Sequence, residues 1–217
     1  MYEEDTLEYK GYMIVISTDD DPINPREYDD DIVTIHVAHT RYNFGDENYN
    51  DRESIEEARQ EAKRNGDLTL PLYMYDHSGI TISLSPFSCP WDSGQVGFVQ
   101  VSRKAMIENW GKVNFTPKLK EKAKEVAKNV VQELDDYLTG NVHRFDVCPI
   151  DEDGEYDTID SIEGCGNFIG DIKYCIDDAK GNIDWIVKDK MKKHCEQVKT
   201  WIKHKVPLEK RTTIKLN

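Results

Sequence analysis

The sequence predicts an α+β protein: one mainly antiparallel sheet of about five to seven strands, with long helices packed on one face, in a single domain. Two observations point that way, and a third excludes the main competitor. Short runs rich in β-branched and aromatic residues, such as YMIVIST (12–18) and IVTIHV (32–37), are bounded by Asp, Pro and Gly and are too short for helices. Two long segments, 117–138 and 182–206, instead carry apolar residues at helical spacing. The two kinds of element do not alternate as βαβ units, so a parallel doubly wound sheet is not expected.

In chain order, Tyr12–Thr18 is the first strand. The following DDDPINPREYDDD (19–31) holds two prolines among repeated Asp and reads as a loop. Ile32–Val37 is the second strand. Ser54, with Glu57 three residues on, has the form of a capping box, opening a helix that stops at Asn65-Gly66. Leu70–Tyr75 and Ile80–Leu84 form a hairpin around Asp76-His77-Ser78-Gly79, with Gly79 supplying the permissive backbone. Val96–Val101 is the next strand, and Ser102 caps a short helix to about Trp110. Thr116-Pro117 opens the long helix to Leu138, closed by Gly140, with a stripe of Leu119, Ala123, Val126, Ala127, Val130, Leu134 and Leu138. Val142–Val147 and Tyr156–Ser161 read as a second hairpin, followed by a glycine-rich return over 164–170. The last helix, about 182–206, has an apolar side and a Lys-rich one. Residues 1–180 are expected to form the core domain, and 181–217 a Lys-rich helical extension packed on it.

Composition narrows the function classes. The chain has 217 residues, a third of them charged, yet aromatic residues make up 10%, as a folded protein requires. Cys89, Cys148, Cys165, Cys175 and Cys195 form neither a CxxC pair nor an even framework, so they read as reduced thiols of a cytoplasmic protein. No apolar run approaches membrane-spanning length, and Met1–Asp5 shows no signal pattern. The net charge of −14 is unevenly placed: −12 over 1–69, zero over 70–140, −9 over 141–178 and +7 over 179–217. Such blocks shape the field a partner meets rather than the fold.

DPINPREYD (21–29), RYNFGDEN (41–48), LPLYMYDHSGITIS (70–83) and PFSCPWDSGQVGF (86–98) together resemble a family of small uncharacterised proteins encoded by bacteriophages and prophages. YLTG (137–140) and DGE (153–155) fit as well, so the resemblance covers roughly 9–170. It implies a phage origin and an infected bacterial cell as the setting. It implies no activity and no site residues.

Several groups could carry chemistry. Cys89 with His77, oriented by Asp76 or Asp92, has the residue types of a cysteine hydrolase. Pro90 argues against it, since it removes a backbone N–H where oxyanion donors often come from. Asp76 and Asp92 could alternatively form a carboxylate metal site. His36 and His39 fall on opposite faces of a strand, and no zinc spacing occurs, so no metal or other cofactor is expected. Asp151, Asp153, Glu155 and Asp157 begin like an EF-hand loop, but the glycine comes two positions early and Ile162 stands where the bidentate Glu belongs. Glycines 164, 166 and 170 match no phosphate-binding spacing.

The expected function is therefore that of an acidic accessory protein that binds a host macromolecule and inhibits a bacterial defence system of the CRISPR or restriction type, its carboxylates imitating phosphates. Direct nucleic-acid or membrane binding is not expected. The binding surface is assigned to Asp19, Asp20, Asp21, Asp29, Asp30 and Asp31, with Tyr28, Tyr42, Phe44 and Trp91 as anchors. The alternative is a hydrolase or metal-dependent enzyme around Asp76, His77, Cys89 and Asp92.

Overall fold

The structure, a computed structural model, describes residues 5–27, 32–111 and 116–211. The fold is α+β, as the sequence predicts. Its strands form two sheets rather than one, and the chain divides into two compact units: 18–142, and 1–17 with 143–217.

The 18–142 unit is built on a five-stranded sheet in the order β4-β3-β7-β5-β6. Its strands are β3 (Val33–Ala38), β4 (Glu47–Tyr49), β5 (Leu68–Asp76), β6 (Ile80–Ser83) and β7 (Ser93–Val101). All neighbours pair antiparallel except β3 and β4. Helix α3 (Pro117–Leu138) packs Ala123, Ala127, Val130, Val131 and Leu134 against Ile35, Val37, Val99 and Val101. The strand period of two puts His36 and Phe98 on the other face, beside helix α1 (Arg52–Arg64). Gly97 lies opposite Val37 because nothing larger fits: a Cβ there would come 1.9 Å from the His36 carbonyl oxygen. Where Leu72 gives way to Tyr73 the β5–β7 register slips, leaving Val96 as an extra residue on β7. Such a bulge bends the strand, here where Ser93 to Gln95 lead into Gly97.

Local signals account for the helix ends. Ser102 caps α2 (Arg103–Trp110), and Thr116 caps α3 with Pro117 behind it, as expected. Helix α1 begins earlier than the Ser54–Glu57 box implies: Asp51 is the cap, its carboxylate accepting from the Ser54 N–H at 2.8 Å. In the β5–β6 turn Gly79 takes a positive φ of 159°, as expected, and Ser78 before it is also left-handed, with φ 62°.

In the other unit the sheet order is β1-β2-β8-β9, from β1 (Asp5–Tyr9), β2 (Tyr12–Thr18), β8 (Val142–Pro149) and β9 (Glu163–Ile169). The hairpin partner expected at Tyr156–Ser161 is instead one turn of 3-10 helix, Thr158–Asp160, and the glycine-rich return is strand β9. Gly164 explains this, since a Cβ there would meet the Asp146 carboxylate at 2.7 Å. Helix α4 runs unbroken from Ile172 to Lys205, so the boundary expected at 180/181 falls inside it, and Gly181 does not interrupt it. Cys175, Ala179 and Ile183 bury against Tyr12, Ile14, Ile16, Phe145 and Val147. The apolar stripe does not dock along its whole length: Met191 and Trp201 are exposed. No described helix is long and apolar enough to cross a membrane.

Candidate functional site

The residues singled out around the β5–β6 turn do come together in the 18–142 unit, but not as a catalytic set. Asp76 ends β5; it forms an ion pair with Arg41 and accepts from the Tyr42 hydroxyl at 3.4 Å. Its N–H donates to the Asp92 carbonyl at 2.8 Å, which ties the turn to the 86–92 loop. Asp92 Oδ2 lies 3.6 Å from the Cys89 thiol and 3.6 Å from His77 Nδ1. The carboxylate thus stands between thiol and imidazole, and the Cys–His contact that activates a nucleophile is not made. The His77 ring stacks on Tyr75, with centroids 6.0 Å apart. Since Asp76 is held by Arg41, it is not paired with Asp92 in a cation cage, and no three His, Cys, Asp or Glu are gathered as metal ligands among the described residues.

These contacts link the motif segments in series. Arg26 of the 21–29 motif makes a two-armed ion pair with Asp46 of the 41–48 motif, both bonds 3.0 Å. Asp46 also accepts from the Ile35 N–H at 2.7 Å, and Arg26 donates to the Val33 carbonyl at 3.0 Å. Arg41 and Tyr42 then reach Asp76 of the third motif, and Asp76 reaches Asp92 of the fourth. Sequence reading assigned no role to Arg26, Asp46 or Arg41; the one signal was their place inside the motifs.

A part-buried polar chain in the same unit is centred on the buried His36. The His36 ring stacks on Phe98 with centroids 4.2 Å apart; Nδ1 meets the Tyr49 hydroxyl and Nε2 the Gln100 Oε1, each at 2.9 Å. Gln100 donates its amide to Asp67 at 2.7 Å, so its oxygen faces His36, and the imidazole carries its proton on Nε2. Burial holds the His36 pKa below the ordinary value, which keeps the ring neutral.

A cleft of about 760 Å³ opens between α1 and the β7 end of the sheet. Arg41, Arg52 and Arg59 line it, with Glu56, Asp76 and Asp92. Trp91 is 90% exposed at its edge. Arg59 lies 3.5 Å from Glu56 through Nη1, while its Nε–H is buried with no acceptor. A buried donor left unpaired costs about 1–3 kcal/mol.

The expected binding residues divide. Asp20 and Asp21 are exposed, whereas Asp19 is half-buried and accepts from the Asp21 N–H at 3.2 Å. Tyr42 is partly buried and stacked on His39. Phe44 is a correction: it lies buried among the core residues of its unit and presents no surface anchor. Tyr28, Asp29, Asp30 and Asp31 lie outside the described residues.

In the other unit, 151–163 is an exposed acidic arm. No Lys or Arg occurs between Arg144 and Lys173, and Asp151, Glu152, Asp153, Glu155, Asp157 and Asp160 are all exposed. Asp151 accepts from the Asp153 and Glu155 N–H groups at 2.9 and 2.8 Å, and Asp157 from Ile159 at 2.9 Å. Those carboxylates shape the turn instead of forming a calcium loop. Ile159 in this arm is 88% exposed, and Tyr156 and Ile162 are exposed as well.

No protein-family model, curated protein or solved structure matches this chain.

Proposed function

We propose that the chain is a phage-encoded accessory protein that acts by binding a host protein with a basic surface, and that this partner belongs to a nucleic-acid-directed defence system of the bacterial cell. The supporting observation is the acidic arm: within 151–160, a run with no Lys or Arg, six exposed carboxylates accompany an isoleucine that is 88% exposed. Carboxylates of one sign steer the encounter, and an exposed apolar side chain in the same arm supplies the anchor that charge alone lacks. The motif resemblance is what supports a phage origin. Catalysis is the weaker reading, because the Cys89 thiol meets a carboxylate rather than the imidazole.

The test is affinity capture from a bacterial lysate with two baits: the wild-type chain, and a variant carrying Ile159→Asp with Glu152→Gln, Asp153→Asn and Glu155→Gln. The reading requires a host protein retained in stoichiometric amount by the first bait and lost from the second. Equal capture by both would overturn it.

A further inference from the structure

We infer that the cleft between α1 and β7 binds a nucleoside phosphate, with Arg52 and Arg59 holding the phosphate and Trp91 stacking on the base. This site lies in the 18–142 unit and stands independently of the acidic arm.

The choice of cation is the first argument. The chain has twenty lysines and eight arginines, yet three arginines and no lysine line this cleft. A lysine is a point charge, whereas the guanidinium is a planar fork that matches two phosphate oxygens at once. Arg41 is engaged by Asp76, but Arg52 makes no ion pair among the described residues. Arg59 keeps an Nε–H buried without an acceptor, a vacancy that an anionic oxygen would fill. Of the acidic groups, Glu56 lies against Arg59, Asp76 against Arg41, and Asp92 against His77 and Cys89.

The second argument is the aromatic lip. An indole 90% exposed has no packing role and offers an open π-face, the usual platform for a base. Gln95 donates its amide to the Gly97 carbonyl at 3.1 Å, which leaves its side-chain oxygen to accept from an exocyclic amine. Gly94 faces open space, so the floor admits a flat ring. The volume of about 760 Å³ is that of a small-molecule site, and a chain of net charge −14 repels a long polyanion more than a single nucleotide.

Isothermal titration of the full chain with adenosine 5′-monophosphate, guanosine 5′-monophosphate, adenosine and inorganic phosphate tests this. At least one nucleotide should saturate a single site with Kd below about 1 mM, and adenosine and phosphate should each bind at least about tenfold more weakly. Arg59→Gln should weaken the nucleotide about tenfold or more, the size of a lost charge-assisted hydrogen bond. Arg59→Lys should fail to restore it. Trp91→Ala should weaken it about fivefold or more. Circular dichroism checks the fold of each variant; should Arg59 substitutions unfold the chain, the exposed Arg52→Gln carries the same expectation. Absence of saturation by both nucleotides at about 10 mM would overturn the assignment. So would nucleotide binding untouched by both the arginine and tryptophan variants, or phosphate binding as tightly as the nucleotide.

Discussion

The Cys89 thiol donates to the Asp92 carboxylate at 3.6 Å, and that same carboxylate oxygen is 3.6 Å from the His77 ring. The carboxylate, not the imidazole, is the thiol's hydrogen-bond partner, so the Cys–His contact that makes a cysteine nucleophile is not formed. The expected outcome is that Cys89→Ala with His77→Ala leaves the captured partner and its yield unchanged. Loss of function in that double variant, with the fold intact by circular dichroism, would return the enzyme reading to first place.

The Arg26–Asp46 pair joins the first two motifs across a well-shielded site, with the Arg26 side chain only 8% exposed. Removing Asp46 takes away the two-armed acceptor of the shielded Arg26 guanidinium and the acceptor of the Ile35 N–H, so Asp46→Ala should cost about 1–3 kcal/mol in urea unfolding. Arg26→Met combined with Asp46→Leu should cost less than the Asp46 change alone, because no buried charge remains. A single-variant loss below about 1 kcal/mol would mean the pair is not desolvated as described.

His36 couples stability to pH. Its pKa is lowered in the folded state by burial, so below about pH 6.5 the unfolded chain binds a proton that the folded chain resists. The stability contributed by the neutral ring is complete above that pH and is lost as pH falls through the window beneath it. Across that window the wild type should lose up to about 1.4 kcal/mol per pH unit relative to His36→Gln. Parallel stability curves for the two proteins between pH 7 and 5 would contradict this.

The cysteines should separate by burial. Cys165 and Cys195 are exposed, whereas Cys148 and Cys175 are buried, and burial pushes the Cys175 thiol up to about 11. At pH 8, iodoacetamide should label the first two in the native protein and reach Cys175 only after unfolding, read by mass spectrometry of the peptides. Fast native labelling at Cys175 would mean that α4 does not pack on its sheet as described.

Local signals in the sequence resolved local structure. Ser102 and Thr116-Pro117 name their helices without help, and YMIVIST is strand β2 from end to end. The α1 start was ambiguous because Asp51 and Ser54 are both good caps, and only one can hold the position. Strand β1 was missed because exposed Asp5, Thr6 and Glu8 leave Leu7 and Tyr9 as its whole apolar signal. The cleft was not legible at all: Arg41, Arg52 and Arg59 meet Trp91 only through sheet pairing across tens of residues. Phe44 went wrong for the same reason, since an aromatic residue in a polar loop gives no hint of the core it enters.

The central claim is that an acidic surface, not a thiol, does the work. Its most direct test is the yield of captured host protein as salt rises from about 50 to 500 mM, with wild type and the Cys89→Ala/His77→Ala variant as parallel baits. The account predicts the same stoichiometric partner on both baits at low salt, falling steeply and together as salt rises. A partner held equally at all salt concentrations, or one lost from the double variant alone, would contradict it.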